Sequence, residues 1–184
     1  MADLAWKILS SDYVYKAAPW ATLRLDKCEM PDGTIVPGYF VLEYPNWVNA
    51  VAITEDNKIL IVKQYRHAAG IISIEIPGGV MDANETPRET VIRELLEETG
   101  YQFDDIELLA TVHPNPATAN NVTYLHLARG GKKVAGQNLD EHEQLTVEEL
   151  TIAEVKQLLL ENKITQALHL TNLFYAMVKI GELR

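Results

Sequence analysis

Several things are scarce in this sequence, and each scarcity excludes something. One cysteine, Cys28, stands in 184 residues. An internal disulfide is therefore impossible, and an isolated thiol is no zinc site. Long apolar runs are missing, with none near the roughly 20 residues that a membrane-spanning helix needs. The start, Met1-Ala2-Asp3-Leu4-Ala5-Trp6-Lys7, lacks the basic stretch and apolar core of a signal peptide. The expectation is a cytoplasmic protein with no membrane partner. Basic residues are also few: 16 Lys and Arg against 26 Asp and Glu give a formal net charge of -10. Nucleic-acid binding needs a stripe of cations against the phosphates. No such stripe is present, so no nucleic-acid partner is expected. The longest basic cluster, Arg129 with Lys132 and Lys133 beside two glycines, reads as a hairpin tip. An acidic protein can still bind a phosphate-bearing small molecule where a cation bridges the two.

What is present is ordinary globular material, 47% hydrophobic and 23% charged, enough for one domain with a small appendage. In residues 1–45, Pro31-Asp32-Gly33 is a turn between Thr22–Leu25 and Tyr39–Leu42, which predicts a small antiparallel β-unit. Strands are expected at 47–54, 58–64, 73–76, 106–112, 122–127 and 145–150. Amphipathic helices are expected at 152–162 and 166–180. Strands and helices interleave without regular βαβ spacing, which favours an α/β/α sandwich on a mixed sheet.

The clearest helix follows Pro77-Gly78-Gly79. Thr86 is its N-cap, Pro87 its first residue, Glu89 completes a capping box, and Gly100 is the C-cap. At about 100° per residue, Glu94, Glu97 and Glu98 share one face, with Ile92, Leu95 and Leu96 opposite. That face reads either as a solvated acidic surface or as a site for a hard divalent cation, since clustered carboxylates repel one another until a cation is bound.

The surroundings decide between these readings. Gly79-x5-Glu85-x7-Arg93-Glu94-Leu95-x-Glu97-Glu98-x-Gly100-Tyr101 matches the Nudix box from end to end. The chain resembles Nudix hydrolases over about residues 46–184, with residues 1–45 as an N-terminal β-unit. Only Tyr101 departs, where an aliphatic residue is commoner. The resemblance implies Mg²⁺ (or Mn²⁺) held by the Gly78 carbonyl, Glu94 and Glu98 with Glu97 close by. It also implies orienting roles for Arg93 and Glu85.

Outside the box, Lys63-Gln64-Tyr65-Arg66 resembles the Gln-x-Arg of ADP-ribose pyrophosphatases, where Arg66 would meet substrate phosphate through its planar fork. Pro116, 15 positions after Tyr101, also resembles that branch, although Ala117 stands where glycine is common. The acidic stretch Leu139-Asp140-Glu141-His142-Glu143 resembles the loop that supplies the catalytic base. Glu141 is the first choice for the base; Glu143 is the second, or a metal neighbour. If neither is the base, metal-bound hydroxide is sufficient, or a box glutamate such as Glu97 takes the proton. Tyr44 and Trp47 are candidates to stack on a base. The N-terminal β-unit resembles one that forms a homodimer. The five histidines show no metal-ligand spacing and read as structural. The implied reaction is hydrolysis of a nucleoside diphosphate sugar, ADP-ribose first and GDP-mannose as the alternative. A regulatory Nudix domain without turnover is the alternative of another class.

Overall fold

The computed structural model describes residues 4–183. The chain divides into two compact units, Met1–Pro45 with His113–Val122, and Asn46–Val112 with Thr123–Arg184.

The first unit is a three-stranded antiparallel sheet in the order β1 (Lys7–Ala17), β2 (Ala21–Glu29), β3 (Ile35–Glu43). The β2–β3 connection is the expected turn. Gly33 takes φ 86°, which L side chains rarely adopt, and Asp32 Oδ1 accepts from the Thr34 amide at 2.9 Å. The middle strand buries Thr22, Asp26 and Cys28, and Arg24 forks onto Asp26 through Nε and Nη2. By contrast, every residue of β1 is exposed, including Ile8, Leu9, Tyr13, Val14 and Tyr15. Segment 113–122 is tied to this sheet: the Leu42 amide donates to Thr118 O at 2.7 Å and the Tyr39 hydroxyl to Ala117 O at 2.6 Å.

The second unit is a seven-stranded mixed sheet. Its path runs β10 (Leu145–Thr151), β5 (Lys58–Arg66), β4 (Trp47–Thr54), β9 (Thr123–Lys133), β7 (Tyr101–Gln102). Off this path, β6 (Ile71–Glu75) pairs with β5, and β8 (Asp105–Val112) with β9. Only β4 and β9 are parallel; the other pairings are antiparallel. Both faces are covered, which accounts for the unbroken apolar runs in β4 and β5. Val51, Ile53, Ile59, Ile61 and Leu127 pack against α2 (Ile152–Leu160) and α3 (Ala167–Lys179). The alternate positions Val48, Ala50, Ala52, Leu60 and Ala128 pack against α1 (Pro87–Thr99). This is the expected α/β/α sandwich.

The sequence reading ended β9 too early. Arg129, Lys132 and Lys133 are not a hairpin tip; they continue the strand, and Lys132 and Lys133 pair with β7. Gly131 is required there because a Cβ would collide with the Phe103 ring. No helix among the described residues is long and apolar enough to cross a membrane.

Candidate active site

The loop of residues 76–80 and helix α1 build the site, and local chemistry sets both. Thr86 and Glu89 form a reciprocal capping box, Pro87 opens the helix, and Gly100 closes it in the left-handed region at φ 75°. Carbonyls left over at the helix end find partners: Asn138 N donates to Glu97 O and Gln137 Nε2 to Glu98 O, both at 2.8 Å. The loop is anchored to β4, where Ala50 N donates to Pro77 O at 3.0 Å and Val48 N to Gly79 O at 2.9 Å. Side chains are excluded here. A Cβ on Gly78 would strike the β4 backbone at Val48 and Asn49, and one on Gly79 would strike the Glu94 carboxylate.

One expectation needs correction. The three carboxylates do not share a displayed face: α1 buries Thr90, Val91, Glu94, Leu95, Glu98 and Thr99, while Leu96 is exposed and Glu97 is half-buried. The 100° arc was right about proximity but wrong about solvent, because the helix turns Glu94 and Glu98 toward the glycine loop. Glu98 is 1% exposed and accepts from the Gly78 amide at 2.9 Å. Burial pushes its carboxyl well above the ordinary range against that hydrogen bond, and the nearby charges of Glu94, Glu143 and Glu75 push it further. Burial likewise raises Glu94 to about 7, opposed by Arg93 and reinforced by Glu97 and Glu143.

Arg93 joins the cluster. Its Nε and Nη2 grip Glu85, both at 2.9 Å, and Nη1 donates to Glu94 and Glu97, both at 3.0 Å. Nη2 also reaches Val80 O at 3.1 Å. The hydrogen bonds from Arg93 hold Glu85 at about 2. Arg93 thus ties Glu85 to Glu94 and Glu97. Tyr101 lies in the core below α1, with its hydroxyl 2.5 Å from Glu149; burial, with that partner, raises it to about 12.

The oxygen-only donor set of Glu94, Glu97, Glu98 and the Gly78 carbonyl fits a hard divalent cation, whose charge would relieve the buried carboxylates. In the arrangement seen, Arg93 and the Gly78 amide take up these groups. Among the described residues no three His, Cys, Asp or Glu side chains form a ready ligand group.

The other expected residues fall as follows. Arg66, at the end of β5, forks onto buried Glu75, with Nε–Oε1 at 2.9 Å and Nη2–Oε2 at 2.6 Å. It also feels the charges of Glu98 and Glu143. Glu143 is half-buried and its charge is among the main ones acting on Glu94, Glu98 and Arg66, whereas Glu141 is exposed. Trp47 opens β4 and is half-buried, like Tyr44 after β3; Pro116 is exposed in segment 113–122. The sequence reading missed Glu75 and the functional setting of His169. His169 Nε2 lies 3.3 Å from Glu75 Oε2, and its Nδ1 accepts from the Ile76 amide at 3.2 Å. A glutamate ending a strand beside Pro77-Gly78-Gly79 was the only local signal for Glu75; for His169 there was none.

Residues 44–171 match the family model described as NUDIX domain, and residues 6–42 that described as nucleoside diphosphate sugar hydrolase N-terminal domain. A methanol dehydrogenase activator of Bacillus methanolicus is 38% identical over 143 residues, 77% of each chain. An ADP-ribose pyrophosphatase of Mycobacterium tuberculosis is 33% identical over 171 residues, 91% of this chain and 81% of that one. An ADP-ribose pyrophosphatase of Bacillus subtilis is 27% identical over 168 residues, 91% and 90% of the two chains. A crystal structure titled ADP compounds hydrolase superposes with a TM-score of 0.85 at 21% identity, covering 98% of this chain and 97% of that one, a likeness of fold.

Proposed function

The chain belongs to the Nudix family, as a hydrolase of the nucleoside diphosphate sugar type, and from that premise we propose that it cleaves ADP-ribose to AMP and ribose 5-phosphate. The observation that carries this reading is the complete box, with Glu94 and Glu98 buried against the glycine loop and Arg93 held by Glu85. The relatives named ADP-ribose pyrophosphatase, which align with nine-tenths of the chain, support the choice of base and sugar.

The reaction adds water across a phosphoanhydride: the water oxygen bonds to one phosphorus, the bridging P–O bond breaks, and each product leaves with a phosphate. Arg66 binds the diphosphate through the edge of its guanidinium. Trp47 offers a ring for the base. Glu94, Glu97, Glu98 and the Gly78 carbonyl would hold Mg²⁺, or Mn²⁺ in its place. A bound cation supplies charge neutralisation at the phosphate oxygens and a more acidic water. Arg93 keeps Glu85, Glu94 and Glu97 in register. Glu143 takes the proton from the attacking water. It replaces Glu141 as first choice because it is half-buried and its charge is among the main ones on Glu94 and Glu98, whereas Glu141 is exposed.

The test is hydrolysis of ADP-ribose and GDP-mannose with Mg²⁺ and with EDTA, with the products identified. AMP and ribose 5-phosphate as the preferred, EDTA-sensitive products support the proposal. Faster release of GMP from GDP-mannose replaces ADP-ribose as the substrate. A second reading, activation of a dehydrogenase, rests on the 38% relative. Adding the chain to a methanol dehydrogenase assay tests it, and an unchanged rate removes it.

A further inference from the structure

The Arg66 guanidinium has two edges in different situations. The inner edge, Nε with one Nη2 hydrogen, is bound to the two oxygens of Glu75. For Nη1, among the described residues, no hydrogen-bond partner is seen, and the side chain is 46% exposed. A guanidinium carries five N–H donors in one plane, so gripping one edge determines where the other points. Glu75 is itself held: at 1% exposure it also meets His169 Nε2 at 3.3 Å and Gln64 Nε2 at 3.5 Å. A buried carboxylate with so many partners has little freedom to turn.

His169 supplies the link to the loop. Because Nδ1 accepts from the Ile76 amide, the neutral ring carries its proton on Nε2, the nitrogen that lies 3.3 Å from Glu75 Oε2. Helix α3, strand β6, the start of the glycine loop and the arginine at the end of β5 are thus joined through a single carboxylate. Among the described residues the Arg66 side chain has no other anchor than Glu75, and a lone arginine at a strand end would sample several rotamers.

We propose that Glu75, oriented by His169, is a positioning residue that grips the inner edge of the Arg66 guanidinium and so presents the outer edge to the substrate's diphosphate. This rests on the reading of Arg66 as a phosphate contact. The inference assigns work to a glutamate and a histidine outside the Nudix box. Neither touches substrate; both act through Arg66.

The test is a set of Michaelis constants for ADP-ribose, or for GDP-mannose where that turns over faster, since both carry the diphosphate. Five variants are compared with the intact protein: Arg66→Ala, Arg66→Lys, Glu75→Gln, the double variant Arg66→Ala/Glu75→Gln, and His169→Gln. Thermal stability is read on each. Glu75→Gln is expected to raise KM on the order of tenfold while kcat falls less than about threefold, the size of effect of losing one well-aligned charge-assisted hydrogen bond. In the Arg66→Ala background Glu75→Gln should add nothing further to KM. Arg66→Lys leaves a cation beside Glu75, and so a foldable protein, but cannot be gripped by two bonds; it should resemble Arg66→Ala in KM. His169→Gln should raise KM less than Glu75→Gln does. An unchanged KM in Arg66→Ala overturns the phosphate contact and the positioning role with it. A raised KM in Arg66→Ala, with KM unchanged in Arg66→Lys and in whichever of the Glu75 and His169 variants fold, overturns the positioning role alone. Equal factors for Glu75→Gln with and without Arg66 also overturn it.

Discussion

Glu143 and Glu141 stand two positions apart in one acidic loop, yet Glu141 is exposed while Glu143 is half-buried, with its charge among the main ones on Glu94 and Glu98. Glu143→Gln is therefore expected to lower kcat about 10²-fold or more with little change in KM, as general-base loss does. Glu141→Gln should stay within about threefold, under 1 kcal/mol of barrier. Steady-state kinetics at saturating Mg²⁺ would separate the two, and the opposite order would return the role to Glu141. Glu98→Gln keeps the shape of a buried side chain but removes its charge, so most turnover should vanish while far-UV dichroism is retained; activity within about threefold of the intact protein would rule out an essential ligand. His169 gives a prediction in pH. Burial holds its imidazole down to about 4, with Glu75 opposing. A folded pKa below the unfolded value of about 6.5 means a contribution fully present above that value and lost as pH falls through about 4. Between pH 7 and pH 5 the intact protein should lose roughly 2 kcal/mol more of unfolding free energy than His169→Gln, read from urea midpoints. Equal losses would show that His169 is not held neutral.

Helix α1 was legible almost to the residue because its signals are local: Thr86, Pro87, Glu89 and Gly100 mark its ends whatever surrounds them. Thr86→Ala removes the acceptor for the Glu89 amide and should cost about 1 kcal/mol in urea unfolding; no measurable loss would mean that tertiary packing alone holds the helix start. Strand β4 was equally plain, since its apolar run has one period and one length. The face of α1 that is buried was not legible. Periodicity groups Glu94 with Glu98 but cannot say that the glycine loop covers them, and the eye assigns charge to solvent. Strand β9 was misread for a similar reason: two glycines and two lysines look like a tip, and only the Phe103 ring against Gly131 shows why glycine belongs inside a strand. Arg66 was found from its motif, but Glu75 and His169 meet across 94 positions of sequence, a proximity that no local pattern encodes.

At the scale of the molecule, β1 presents apolar and aromatic side chains along its whole exposed length, more than a small sheet can bury for itself. A homodimer using residues 1–45 is expected, and light scattering on eluted protein at micromolar concentration should give twice the 20.7 kDa chain mass. A monomer there would leave β1 for another partner. The units differ in one further respect that makes them separately observable. The lone thiol of the chain, Cys28, is buried at 6% exposure in the middle strand of the N-terminal sheet, and the unit that holds the Nudix box has no cysteine. A maleimide or disulfide reagent in solution can react only when that sheet opens, so its rate of reaction is a clock for the local opening of one unit, blind to the other. Run beside loss of activity in rising urea, that clock tells whether the N-terminal sheet opens first or both units unfold together.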